Sequence, residues 1–181
     1  IAQDLLGKAL FTNLQGVVTG GIIVETEAYS WKERGCHAFD ARKTARNAIM
    51  FEKGGHAYVY LCYGMHHLFN VVTNKQGAAD AVLIRALEPL AGIEEMKLRR
   101  GKSLTPEQLT SGPGKLSKAL GINRALNGKF LLDNEVWIED LGNKIAKKDI
   151  DAGPRIGIDY AGEDAKLPWR FSVKGNRWVS R

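Results

Sequence analysis

Strand-forming segments that follow one another through short turns constrain this chain more than any other feature. The run GVVTGGIIVETEAYS, residues 16–30, is rich in β-branched residues and reads as a strand. HAYVYLCYGMHHLFNVVT, residues 56–73, reads as two strands around a turn at Tyr63–Gly64. NKQG turns the chain into a further strand, AVLIRAL, so the middle of the sequence is a meander. EVWIED, RIGIDY and RFSVKG return to strand in the last third. Helical patterns are expected at QDLLGKAL (3–10), at EPLAGIEEMKLRR (88–100) with cations at its C-terminal end, after Thr105–Pro106, and over SGPGKLSKALGI to a stop at Gly121. Strands and helices are not in βαβ alternation. The order argues for an α+β fold with a mostly antiparallel sheet.

The 181 residues suit one domain with its own core. Hydrophobic residues at 44% and charged residues at 25% exclude disorder as the main state. No apolar run approaches the ~18 residues that a membrane-spanning helix needs. The net charge of +6 and a pI near 9.3 favour an anionic partner, most often nucleic acid. Cys36 and Cys62 are too few for a disulfide scaffold and suit a reducing cytosol. No signal peptide opens the chain, and a start at Ile1 leads us to expect a short leader ahead of it.

Four features carry chemistry. Alternation along VETEAY puts Glu25, Glu27 and Tyr29 on one strand face. Residues two apart on a strand lie roughly 6.5–7 Å apart, close enough for one carboxylate to act as a base while the other holds structure. A solvated strand face is the plainer reading of such a pair. YVYLCYGM puts Tyr58 and Tyr60 on one face and a large ring, Tyr63, at a turn that Gly64 permits. These tyrosines either cover a core rim or form a base-stacking platform with a wedge at its tip. Residues 30–55 are long for a loop and basic through Arg34, Arg42, Lys43 and Arg46. SGPGKL is a Gly-rich turn into a helix, with Lys115 adding charge, and suits a backbone phosphate better than a bound nucleotide. His37 beside Cys36, and His66 and His67 near Cys62, lack CxxC, HxxxH or HExxH spacing, so no metal and no cofactor is expected.

Taken together, VETEAY, TARN, YVYLCYGMHHLFN, VLIRALEP, SGPGKL and RIGI resemble the alkyladenine (3-methyladenine) DNA glycosylase family. The resemblance runs from about Leu5 to Arg181. It implies a single domain over residues 1–181, with a curved, mostly antiparallel β-sheet, flanking helices and a protruding β-hairpin. It implies base excision repair: flipping out of alkylated or deaminated purines such as 3-methyladenine, 7-methylguanine and hypoxanthine, and hydrolysis of the N-glycosidic bond without strand cleavage. By resemblance, Glu27 activates water, Arg85 holds that water, and the backbone carbonyl of Ile156 completes its shell. Tyr29, His37 and Tyr60 flank the extruded base, and Asn70 excludes the 2-amino group of guanine. Tyr63 enters the minor groove. Met65, Arg42, Thr44, Lys115 and Gly157 face the DNA. The expected partner is double-stranded DNA with damaged purines, bound by a monomer in the cytoplasm, at the nucleoid or in a nucleus. The sequence departs from the human family member at His66, an aromatic there, at Ala45, a proline there, and in a shorter loop between Arg100 and Ser111.

The residues alone leave two rivals. A nucleic-acid-binding module would use the tyrosines only to stack. A carbohydrate glycosidase would use Glu25 and Glu27 as its acid pair, but neutral sugars gain nothing from the basic charge.

Overall fold

The computed structural model describes residues 1–101 and 103–180; Lys102 and Arg181, where the resemblance ends, lie outside the described residues. Among the described residues eight strands form one sheet in which every pairing is antiparallel. They are β1 (Ala9–Leu14), β2 (Val17–Tyr29), β3 (Ala57–Cys62), β4 (His66–Val72), β5 (Ala81–Ala91), β6 (Val136–Glu139), β7 (Ile150–Gly153) and β8 (Arg170–Val173). The main order is β3-β4-β5-β2-β1-β6. The 13-residue β2 is the organising strand. Its first half pairs with β1, and Glu25 to Glu27 in its second half pair with β8, which leads on to β7. The result is the curled antiparallel sheet with flanking helices that the segment order and the resemblance imply.

Among the described residues three short helices cover one face: α1 (Ile93–Arg100), α2 (Pro106–Thr110) and α3 (Pro113–Ala119). They begin and end where local chemistry dictates. Pro106 starts α2, and Gln108 Oε1 accepts from the Thr105 backbone N–H at 2.9 Å. Gly121, at a φ of 69°, lets the chain turn out of α3. Leu87, Met96, Leu109, Leu116 and Leu120 are fully buried between these helices and the sheet. The opposite face of β3 and β4 carries a second cluster, with Cys36, Met50, Phe51, Tyr58 and Val72 under the 30–55 segment. Two 3₁₀ turns, Phe39–Ala41 and Ala48–Phe51, hold that segment in shape. β3 therefore divides its residues by alternation: Ala57 and Val59 join the helix-side core, while Tyr58 and Tyr60 face the other way.

Three local expectations fail for tertiary reasons. Residues 3–10 are turns leading into β1, not a helix. The helix expected from Glu88 begins at Ile93, because Glu88, Pro89 and Ala91 pair with β2 and extend β5. Glu88 O crosses so close to Gly21 that a Cβ there would collide with it, so glycine permits the pairing. RIGIDY is a loop running into a 3₁₀ segment, and the strand β7 precedes it.

Two offset irregularities in the β2–β5 ladder matter most. Glu25 pairs with Ala86 and Thr26 with Ile84, so Arg85 is the extra residue of a bulge. Alternation slips there. Leu83 and Arg85 face away from the helices, while Ile84 and Leu87 face them. A matching slip between Ile23 and Glu25 leaves Ile23 in the core and turns Glu25 toward Arg85. The paired slips bring two acids and a base together on the non-helical face.

Candidate active site

A cavity of about 410 Å³ opens on that face, within the range of roughly 300–1,000 Å³ usual for ligand sites. Its floor and walls come from β2 (Glu27, Tyr29), β3 (Tyr58, Tyr60), β4 (Leu68, Asn70), β5 (Leu83, Arg85), the 30–50 segment (His37, Arg46, Met50) and the 154–160 loop (Ile156, Gly157, Ile158, Tyr160). Tyr63 and Pro113 stand at its edge. Glu27, Arg85, Tyr29, His37, Tyr60, Asn70, Ile156, Gly157 and Tyr63 are thus brought to one place. Met65, Arg42, Thr44 and Lys115 do not line the cavity. All four are exposed.

Glu27 is fully buried, yet its surroundings are polar. Oε1 accepts from the Ile156 backbone N–H at 2.8 Å and lies 3.2 Å from Arg85 Nη1. Oε2 accepts from the Tyr29 hydroxyl at 2.8 Å. Burial, and then the Glu27 charge, hold the Tyr29 phenol far above its ordinary value, so it remains a donor. A carboxylate offers about four acceptor positions. Among the described residues two hydrogen bonds reach it, from the Tyr29 hydroxyl and the Ile156 N–H, and the Arg85 guanidinium stands beside it as an ion pair. The Ile156 group that reaches Glu27 is therefore its N–H.

Glu25 is built in differently. Its oxygens accept from Arg170 Nη1 at 3.0 Å and from the Ser180 backbone N–H at 2.8 Å, and Arg85 Nε lies 3.3 Å away. Arg85 Nη2 also donates to Ser180 Oγ at 3.3 Å. Of the two carboxylates only Glu27 lines the cavity. Arg85 bridges both.

The walls are aromatic. The Tyr58 and Tyr60 rings lie 5.4 Å apart, and His37 meets the Tyr60 ring edge-on at 4.5 Å. His37 Nδ1 and the Tyr58 hydroxyl share a 2.9 Å hydrogen bond. His37 is an exposed residue by its surface, but its ring is crowded among these tyrosines. That desolvation, and then the Arg46 charge, lower it from its usual value of 6.5, so the imidazole is neutral at pH 7. Burial pushes the Tyr58 phenol up to about 12. Asn70 donates through Nδ2 to the Tyr58 carbonyl at 3.1 Å, which fixes its amide in the cavity wall.

The β3–β4 hairpin ends beside the cavity. Tyr63 (φ 49°) and Gly64 (φ 68°) are its central turn residues, and Met65 N–H donates to Cys62 O at 3.1 Å. Positive φ at both positions is the signature of a tight hairpin turn whose twist matches its strands. It leaves Tyr63 84% exposed and Met65 72% exposed, large apolar groups held out in solvent. Arg46 ties the hairpin to the basic segment: it donates to Leu61 O at 3.1 Å and its guanidinium lies over the Tyr60 ring. Asn47 shapes that segment by bonding the backbones of His37, Arg42 and Thr44. The start of α3 packs against β4, where a Cβ at Gly114 would strike the His66 ring, and Lys115 is left exposed.

Several residues of the site escaped sequence reasoning. Arg46, read from the sequence only as one cation of the basic loop, and Tyr160 line the cavity, and Arg155 and Glu33 form a buried pair next to it. Arg46 and Arg155 lay inside the quoted TARN and RIGI segments. Glu33 carried no signal, since its partner lies 122 residues away.

Comparison with known proteins places the chain in a family. The description of the family that matches residues 1–177 is "Methylpurine-DNA glycosylase". A protein of Methanocella arvoryzae is 49% identical over 183 residues, covering 100% of this chain and 90% of that protein. One of Bacillus cereus is 46% identical over 195 residues (100% and 93%), and one of Chlamydia abortus is 49% identical over 173 residues (94% and 90%). All three bear the name "Putative 3-methyladenine DNA glycosylase". A match across nearly the whole chain, at this identity, shows that the protein belongs to the methylpurine-DNA glycosylase family and is by class a DNA N-glycosylase.

Proposed function

We propose that this protein removes alkylated or deaminated purines from duplex DNA by hydrolysis of the N-glycosidic bond. The observation that carries this reading is the Glu27 carboxylate at the floor of an aromatic cavity, next to an exposed tyrosine on a hairpin tip. A base inside a duplex hides its glycosidic bond. The nucleotide must rotate out, at an expense of a few kcal/mol, and a lesion that weakens pairing lowers that expense. Tyr63 offsets part of it by filling the gap left in the helix. The extruded purine stacks among Tyr29, His37 and Tyr60, and a cationic alkylpurine gains from the faces of the tyrosines. Asn70 admits adenine-like bases and clashes with the 2-amino group of guanine.

The sugar develops oxocarbenium character as the bond lengthens. Glu27 stabilises that charge and takes a proton from the attacking water, which occupies a remaining acceptor position of the carboxylate. Arg85 and the Ile156 carbonyl hold the water. The reaction needs no lysine nucleophile, and it leaves an abasic site in an unbroken strand. 3-Methyladenine and hypoxanthine are the substrates proposed, with 7-methylguanine a poorer one, because its 2-amino group meets Asn70 and only the labile bond of the cationic base offsets that clash. The support for this reading is that one cavity unites the carboxylate, its donors and the aromatic walls. A stacking module would not require a buried carboxylate–guanidinium pair beneath its cavity.

The test is incubation of the protein with methylated duplex DNA and chromatography of the released bases. Free alkylpurines support the reading. DNA binding without any release assigns the protein instead to the non-catalytic modules.

Two further results are expected. Tyr63→Ala lowers capture of a paired lesion about tenfold and leaves binding to undamaged duplex nearly unchanged. Equal capture contradicts the wedge. Arg42, Lys43, Arg46 and Lys115 supply cations around the cavity. Four phosphate contacts give a plot of log affinity against log salt a slope of about −3 to −4. A flat response contradicts a phosphate-binding role for this surface.

A further inference from the structure

Arg155 and Glu33 form the most completely buried ion pair of the described residues, with side chains 0% and 4% exposed. Arg155 Nη1 meets Glu33 Oε1 at 2.7 Å, and Nη2 meets Oε2 at 2.8 Å. The same two nitrogens donate to Ala28 O at 3.0 Å and to Asp164 O at 3.1 Å. The flat guanidinium lies 4.7 Å from the centre of the Tyr29 ring and 5.2 Å from that of Trp169. Among the described residues its Nε is buried without a partner. Burying such a pair is poor value as stabilisation alone, since desolvation opposes the attraction and well-packed apolar groups serve as well. An orphaned buried donor adds to that expense.

The position of the pair supplies a reason for it. Glu27 receives two hydrogen bonds, from the Tyr29 hydroxyl and the Ile156 N–H. Arg155 immediately precedes Ile156 in the chain, and its guanidinium packs against the Tyr29 ring. Its bond to Ala28 O fixes the peptide between Glu27 and Tyr29. One forked, planar cation therefore reaches the carriers of both donors, and Glu33 fixes its rotation in plane as only a bidentate partner does.

We infer that the Arg155–Glu33 pair is a positioning device for Glu27, holding the Tyr29 hydroxyl and the Ile156 N–H in register with the carboxylate. This inference rests on the reading of Glu27 as the group that activates water. Neither residue lines the cavity, so neither touches substrate. Their loss acts on the chemical step and not on lesion binding.

The test measures single-turnover base release and Kd on methylated duplex DNA for the wild type, Glu27→Gln, Glu33→Gln, Trp169→Leu, Tyr29→Phe and the double variants. Glu33→Gln is expected to slow base release about tenfold to a hundredfold with Kd within about threefold. Trp169→Leu removes one stacking face and leaves no buried charge unpaired; it slows release about threefold. In the Glu33→Gln/Tyr29→Phe double variant the combined loss falls short of the product of the single losses by about threefold or more, because both act through one carboxylate. If Glu33→Gln does not fold, the cycle of Trp169→Leu with Tyr29→Phe decides by the same criterion. A wild-type rate in Glu33→Gln, or losses that multiply, overturns the inference and leaves the proposed function standing. A wild-type rate in Glu27→Gln overturns both.

Discussion

Glu27→Gln is expected to slow base release by about 10²- to 10⁴-fold, the range that loss of a general base produces, with lesion binding within about threefold of wild type. Glutamine keeps the size and the acceptor oxygen that faces Ile156 and Arg85, so the floor of the cavity keeps its shape. It lacks the negative charge that stabilises an oxocarbenium-like sugar, and it does not take a proton from water. The loss therefore falls on the chemical step. The measurement is a single-turnover time course of free base on methylated duplex, alongside a binding isotherm for the same DNA. A parallel loss of binding would instead mean that the carboxylate serves to seat the base.

Arg85→Met is expected to have the largest effect on stability. Arg85 lies 3.3 Å from Glu25 and 3.2 Å from Glu27, and both acids are fully buried. Methionine fills the space of the stem but leaves two carboxylates facing each other without the cation between them. Removing one partner of a buried pair destabilises by about 3–5 kcal/mol, a large part of the roughly 5–15 kcal/mol that holds a domain together. For a chain of this length that lowers Tm by about 6–20 °C. Calorimetry of the variant measures it. Glu25→Gln in the same background restores part of the loss, because it removes the repulsion between the two acids, although Glu25 itself keeps Arg170 as a partner. An unchanged Tm contradicts the electrostatic account of the bulge. Base release in the single variant is also expected to fall, since the group proposed to orient the attacking water is gone.

The hairpin, the long strand β2 and the shared face of Glu25, Glu27 and Tyr29 were legible because alternation is local. Period-2 patterning and a Tyr–Gly turn are written within about ten residues. Arg85 was legible only through resemblance. Strict alternation would put it on one face with Leu87, and the bulge that separates them is set by pairing with β2. The helix expected at Glu88 failed for the same kind of reason: its first residues are amphipathic, but the neighbouring strand captures them. Glu33 and Arg155 illustrate the limit. Nothing in the spacing of two residues so far apart announces a bidentate bond, and only the fold brings the 30–37 segment against the 154–160 loop.

The central claim is that a purine leaves the helix and comes to rest with its sugar carbon against Glu27. A crystal structure of the Glu27→Gln variant with a duplex containing hypoxanthine tests it most directly. The account predicts the base among Tyr29, His37 and Tyr60, Tyr63 in the space it vacated, and C1′ nearest to the substituted side chain. Hypoxanthine stacked within an unbroken helix, or lodged anywhere other than this cavity, contradicts it.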